Sequence, residues 1–318
     1  MTPVLRLGTR RSALATTQSG HVADLIRARL GREVELVEIT TEGDISSAPL
    51  ASLGGTGVFV SALRDALKRG DVDVAVHSLK DIPTQPEAGI ALAAIPTRED
   101  PRDAVVARDG LTLGELPVGS RIGTGSPRRV AQLEALGLGL DVVGIRGNVD
   151  TRIRKVASGD YDAVLLARAG LARLGRVDEI TETLDPLQML PAPGQGALAI
   201  ECRAEDEALV ADLAQLDDPR TRAAVTAERA VLATLEAGCS APLGALAEVV
   251  EGDDGDELWI RAVAMSADGG LSVRMSTTGS PTDAAETGNR LASDMLAEGA
   301  ASLMNSTGME APVRKQQR

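Results

Sequence analysis

Aromatic residues are nearly absent. Phe59, Tyr161 and Trp259 are the only three in 318 residues. Modules that read single-stranded nucleic acid by base stacking need aromatic platforms, so the composition argues against that class. Cysteine is as scarce. Cys202 and Cys239 form neither a disulfide framework nor a metal-ligand spacing, so reduced thiols and no metal are expected. The histidines are His21 and His77, and the lysines are Lys68, Lys80, Lys155 and Lys315. No apolar run is long enough to span a bilayer, and the N-terminus lacks the apolar core of a signal peptide. A soluble, cytoplasmic chain is expected.

What is present is acidic overall, with a net charge of −13, which argues against whole-surface binding to nucleic acid or anionic membrane. Residues 121–176 depart from this, with ten Lys/Arg against five Asp/Glu. A cationic segment within an acidic chain points to a small anionic ligand. The element pattern is α/β. Strands are predicted near 4–8, 33–41, 72–76 and 90–95. Helices are predicted at 13–30, N-capped by Ser12 and ended by Gly31, and from Gly54-Gly-Thr-Gly57 to Lys68. This βαβαβ rhythm predicts a parallel sheet with helices on both faces. Residues 96–103 are polar and proline-bounded and read as a crossing between lobes. Arg121-Ile-Gly-Thr-Gly-Ser126 echoes Arg6-Leu-Gly-Thr-Arg-Arg-Ser12, which fits a second, similar lobe. Strands 141–145 and 162–166 and helix 149–157 complete it. Leu190-Pro-Ala-Pro-Gly-Gln-Gly196 is a second break, and strand 197–201 returns to the first sheet. A third unit follows, with helix 220–236, strands near 244–250, 257–264 and 270–277, and a helix over 282–304.

Three stretches carry chemistry. Asp71-Val-Asp-Val-Ala-Val-His-Ser-Leu-Lys-Asp-Ile-Pro83 is a buried strand ending in polar groups, where open α/β sheets bind ligands. There a carboxylate such as Asp81, next to Lys80, can stay ionised and so hold a developing cation or move a proton. Thr124-Gly-Ser-Pro-Arg-Arg129 is an anion site, with Ser126 as N-cap and Pro127 at the first helical position; Arg128 and Arg129 converge on it. Arg146-Gly-Asn-Val-Asp-Thr-Arg152 repeats that logic, with Gly147 allowing close approach and Asn148 capping. Arg173 is either a cleft residue or a plain helix charge. No nucleotide fingerprint is present, so a polycarboxylate suits these arginines better than a nucleotide. Cys239 lies in a loop of small residues after Gly238. On these residues alone, a two-lobed binding module and a cysteine hydrolase stand beside an enzyme of another kind.

The motifs resemble those of the porphobilinogen deaminase (hydroxymethylbilane synthase) family. They are Gly8-Thr-Arg-Arg-Ser12, Gly54-Gly-Thr-Gly-Val-Phe59, His77 to Pro83, Arg98-Glu-Asp-Pro-Arg-Asp-Ala104, Gly123 to Arg129, Arg146-Gly-Asn148, Pro193-Gly-Gln-Gly-Ala197 and Glu236-Ala-Gly-Cys239. The resemblance implies an α/β fold of two periplasmic-binding-protein-like (type 2) lobes with mixed sheets, plus a smaller α+β C-terminal domain. The spans expected are 1–98 with 197–217, 99–196, 218–306, and a tail at 307–318. It implies a covalent dipyrromethane in thioether linkage to Cys239, onto which four porphobilinogens are joined head to tail with loss of ammonia. Asp81 matches the catalytic carboxylate, assisted by Lys80. Ser78, Thr124, Ser126, Arg128, Arg129, Arg146 and Gly147 match cofactor contacts. Arg10, Ser12, Arg146, Arg152, Arg173 and Gln195 match substrate contacts. Phe59 falls where the family has a lid-like loop. Glu42, Ser52 and Thr56 depart from basic residues common in the family, which puts anion contacts from the 42–57 loop in doubt. A monomer is expected, passing its product to uroporphyrinogen-III synthase.

Overall fold

The computed structural model describes residues 3–39, 57–236, 241–253 and 255–305. Cys239, residues 42–56, the side chain of Phe59 and the 307–318 tail lie outside the described residues.

The first sheet is built from β1 (Leu5–Thr9), β2 (Val34–Glu38), β3 (Val74–Ser78), β4 (Ile90–Ala94) and β10 (Leu198–Arg203). Its order is β2-β1-β3-β10-β4. Helix α1 (Ala13–Leu30) begins and ends as predicted: Ser12 accepts from Ala15 N, and Gly31 closes it at φ +61. Helix α2 is Gly57–Arg69. Strand β3 is buried on both faces, so it reads as a continuous apolar run rather than an alternation. Val74 and Val76 pack with Val22, Ala23 and Ile26 of α1 on one face. Ala75 packs with Leu63, Ala66 and Leu67 of α2 on the other. Each such leucine contributes about 1.5–3 kcal/mol by burial.

The second sheet comprises β5 (Asp103–Ala107), β6 (Arg121–Gly123), β7 (Asp141–Val143), β8 (Ala163–Ala167) and β9 (Glu182–Thr183), in the order β7-β6-β8-β5-β9. Helices α3 (Pro127–Ala135), α4 (Val149–Ala157) and α5 (Arg168–Arg173) accompany it. The echoed Arg-Leu/Ile-Gly-Thr stretches are β1 and β6, which hold the same second place in their sheets.

Neither sheet is purely parallel, which corrects the parallel pairing predicted from the βαβαβ rhythm. Strand β10 runs antiparallel to β3 and β4, and β5 antiparallel to β8. Both follow a crossing, so they enter from the far end and need no crossover helix. The sheets are mixed, as the resemblance drawn from the motifs implies. The polar stretch 96–103 does not end in loop, because its last residue, Asp103, opens β5.

After α6 (Glu207–Ala214), which the sequence did not suggest, helix α7 (Pro219–Thr234) leads into an antiparallel sheet of β11 (Leu243–Gly252), β12 (Gly255–Met265) and β13 (Ser272–Gly279). The predicted 282–304 helix is two helices, α8 (Ala284–Ala297) and α9 (Ala300–Asn305), broken at Gly299 with φ +90. Helix α7 has two buried faces. Ala223, Ala224, Ala227 and Val231 join the core of the third sheet, while Val225 packs with Leu79, Ile82, Ile95 and Ala197.

Candidate active site

Strand β3 ends at Ser78, and a single 3-10 turn, Leu79–Asp81, follows. Leu79 and Ile82 are buried and pin the turn from below, leaving Lys80 and Asp81 half-buried between them. Leu79 N donates to Ala197 O at 3.0 Å. From α7, Arg229 donates to Ile82 O at 2.9 Å and Pro83 O at 2.7 Å. The turn is thus held by two other segments, and Pro83 prevents its extension.

Asp81 lies where two hollows meet. One, of about 100 Å³, is lined by Arg10, Ser12, Gln18, His77 and Ser78. Gln18 donates to Ser78 Oγ at 3.0 Å. The other, of about 240 Å³, is lined by Lys80, Ser126, Arg128, Arg129, Gln195 and Ala241. Strand β3 and α1 supply the first; the turn, α3, the second crossing and the start of the C-terminal sheet supply the second.

The structure gives Arg128 and Arg129 a buried partner. Asp103, fully buried, accepts from Arg128 Nη1 at 2.7 Å and from Arg129 Nη2 at 2.7 Å. Burial alone would raise this carboxyl, but the two guanidiniums overcome it and hold it well below the usual range. Gln195, also buried, donates to Asp103 Oδ1 at 2.9 Å and accepts from Lys80 Nζ at 3.3 Å. Burial pushes the Lys80 ammonium down to about 8. Asp81 opposes that shift, and Arg129 adds to it. At neutral pH Lys80 is therefore still mostly charged.

The remaining candidates divide. Thr124 is buried, and its hydroxyl accepts from Ser126 N at 3.2 Å. Ser126 holds the N-cap place, but its hydroxyl makes no capping bond there. Asn148 does cap α4, accepting from Thr151 N at 2.9 Å. Arg152 donates to Gly147 O at 2.8 Å; burial and the neighbouring Arg129 both disfavour its charge. Gly147 has φ +109, and a Cβ there would meet Thr151 Cγ2 at 2.7 Å, so a side chain would be strained. Arg146 is exposed on the same loop. Arg173 is not with the others: it donates to Gly196 O and lines a separate hollow with His21 and Arg98. Cys202 is fully buried, and burial pushes its thiol up to about 11, the profile of an inert core thiol.

Several residues went unnoticed in the sequence. Gln18 sits on the buried stripe Gln18, Val22, Ile26 of α1, at helical spacing. A polar residue in an apolar stripe was the available signal. Glu228 likewise shares a stripe with Ala224, Ala227 and Val231. Asp103 had no such signal, hidden in a run of charges.

Around the cleft, among the described residues, Lys80, Arg128, Arg129 and Arg152 surround the acidic groups Asp81 and Asp103. That surplus of positive charge, with hydroxyl and amide donors, suits a ligand carrying several carboxylates. The fold and the cleft together define a two-lobed protein with a cationic cleft and a carboxylate, Asp81, at its focus.

Comparison with known proteins narrows this. Residues 5–211 match the family model described as porphobilinogen deaminase, dipyrromethane cofactor binding domain, and 222–297 match the porphobilinogen deaminase C-terminal domain. The porphobilinogen deaminase of Mycobacterium tuberculosis is 61% identical over 306 residues, 95% of this chain and 98% of that protein. That of Nocardia farcinica is 59% identical over 305 residues, 94% of this chain and 88% of that protein. Among solved structures, the BvgS VFT2 domain of Bordetella pertussis aligns with a TM-score of 0.43 and 16% identity, over 68% of this chain and 87% of that one. The chain belongs to the porphobilinogen deaminase family. Among the described residues, no helix is long and apolar enough to cross a membrane.

Proposed function

We propose that the chain is a monomeric, cytoplasmic transferase of tetrapyrrole synthesis. It joins four porphobilinogen molecules head to tail with loss of four ammonia molecules, and hydrolysis by one water then cleaves the new chain from its primer as linear hydroxymethylbilane, which passes to uroporphyrinogen-III synthase. Its dipyrromethane, in thioether linkage to Cys239, when bound supplies the pyrrole end onto which units are joined. The observation that carries this is the place of Asp81, shared by two hollows with arginines on both sides and with Ala241, two residues from Cys239, on the wall of the larger.

The side chains then divide the work. Arg10, Ser12 and Ser78 bind carboxylates of an incoming unit in the smaller hollow, with Gln18 holding the Ser78 hydroxyl. Arg128, Arg129, Ser126, Arg146 and Arg152 bind those of the growing oligomer. Asp81 lies beside pyrrole N–H groups and stabilises positive charge that develops as ammonia departs. Lys80, whose ammonium Asp81 favours, binds carboxylate while it is charged. Gln195 spans the lobes, and Thr124 and Gly147 shape the turns that carry these donors. Arg173 acts at the crossing rather than on the pyrrole chain. The division into lobes and C-terminal domain follows the sheets, with Asp81 in the first lobe and the cationic wall in the second.

The test is to supply the purified chain with porphobilinogen. Ammonia and a linear tetrapyrrole, in a four-to-one ratio, are expected. Binding without consumption would instead identify a carrier of such anions.

A further inference from the structure

Asp103 is fully buried beside the cleft, and no role in the reaction has been given to it. Its Oδ2 accepts from Arg128 Nη1 at 2.7 Å. Its Oδ1 accepts from Arg129 Nε at 3.1 Å, Arg129 Nη2 at 2.7 Å and Gln195 Nε2 at 2.9 Å. Each guanidinium is braced from behind by a carbonyl, Arg128 by Leu190 O at 2.5 Å and Arg129 by Leu165 O at 2.9 Å. Gln195 is itself fixed, since Nε2 also donates to Pro101 O at 2.7 Å, and its other atom, Oε1, accepts from Lys80 Nζ at 3.3 Å. One carboxylate therefore sets the direction of two guanidiniums in the second lobe. Through one amide it also sets an ammonium in the first.

The charge count explains why a carboxylate is here. Two arginines share it, so one positive charge is left over at the wall of the cleft. A neutral filler would leave both guanidiniums buried without a counter-charge, which is strongly unfavourable. A second carboxylate would cancel the wall's attraction for an anion. We propose that Asp103 is a positioning residue for the reaction, an internal counter-ion that aims Arg128 and Arg129, and through Gln195 also Lys80, into the cleft beside Asp81. The proposal rests on the function inferred above for what the cleft receives, but not for how the three cations are held.

Lys80 gives a readout that is independent of turnover. The charged groups facing it are Asp81 and Asp103, which favour its ammonium, and Arg128 and Arg129, which oppose it. Asp103→Asn keeps the volume and removes the charge. Acylation of Lys80 by an amine-reactive anhydride, followed by peptide mass mapping across pH, should show its midpoint shifted down by roughly half a unit. Porphobilinogen kcat/KM should fall about 10²-fold, as expected when reacting groups are misplaced. Asp103→Glu, which restores the charge, should return the midpoint toward the parent's. A folded Asp103→Asn with an unmoved midpoint and parental kcat/KM overturns the proposal. If that variant does not fold, Gln195→Leu cuts the link without baring a charge. A lowered midpoint there supports the relay, and a parental one refutes it. A parent chain that consumes no porphobilinogen would overturn the inferred function, and the lysine titration would then judge Asp103 alone.

Discussion

Removing Glu228 should uncouple the C-terminal sheet from the two lobes. Its carboxylate is fully buried on α7 and takes four donors: Arg98 Nη1 at 2.7 Å and Nη2 at 3.0 Å, Gly194 N at 2.6 Å and Ala247 N at 2.9 Å. Arg98 lies in the first crossing, Gly194 in the second and Ala247 on β11, so one side chain ties both crossings to the third sheet. In Glu228→Ala the guanidinium loses its buried counter-charge, a cost of about 3–5 kcal/mol. Two amide N–H groups also lose an acceptor, at about 1–3 kcal/mol each. Water entering the space offsets part of this, and neighbouring losses do not add, so a net of about 4 kcal/mol is expected. At roughly 2–4 °C per kcal/mol for a chain of this order, the melting temperature should drop by about 10 °C. Trp259 is the only tryptophan and lies on β12, so its fluorescence reports the third sheet. In the parent, fluorescence and far-UV circular dichroism should melt together. In Glu228→Ala the fluorescence transition should come first, a departure from two-state behaviour. Coincident transitions within about 2 °C of the parent would refute the coupling.

Other predictions follow from the charges. Asp81→Asn should still bind porphobilinogen while kcat falls by about 10²-fold or more; near-parental kcat in steady-state assays would remove Asp81 from its role. Activity should have a basic limb near 8 as Lys80 loses its proton, and in Lys80→Arg, which stays charged, that limb should move to higher pH. Burial raises the Glu201 carboxyl, but bonds from Arg64 and contact with His77 hold it at about 2. Its folded value lies below its unfolded one, so the stability it contributes is complete above about 4.5 and is lost as pH falls toward 2. Acid titration of Glu201→Gln should show a flatter loss of stability over that window; an unchanged acid limb would count against the Arg64–Glu201–His77 cluster.

Local signals carried much of the fold. Ser12 and Gly31 bounded α1 because a hydroxyl acceptor and a left-handed residue are physical stops, and Asn148 marked α4 for the same reason. Strand order was less legible. Nothing local tells β5 or β10 that it will enter its sheet from the opposite end, since that is set by the crossings. Asp103 illustrates the limit at the site. Within Arg98-Glu-Asp-Pro-Arg-Asp103 it reads as one more solvated charge, and only the approach of α3 buries it between two arginines. Arg173 shows the converse, because its type and spacing suit a cleft, yet α5 turns it to the carbonyl of Gly196. The family motifs located the residues, and the packing decided which of them share a cavity.

The most direct measurement is the intact mass of the purified wild-type chain beside that of Cys239→Ser. The wild type should carry the added mass of two linked pyrroles, and the variant should have the mass of its polypeptide alone. An unmodified wild-type chain that nevertheless turns over porphobilinogen would contradict the covalent primer on Cys239.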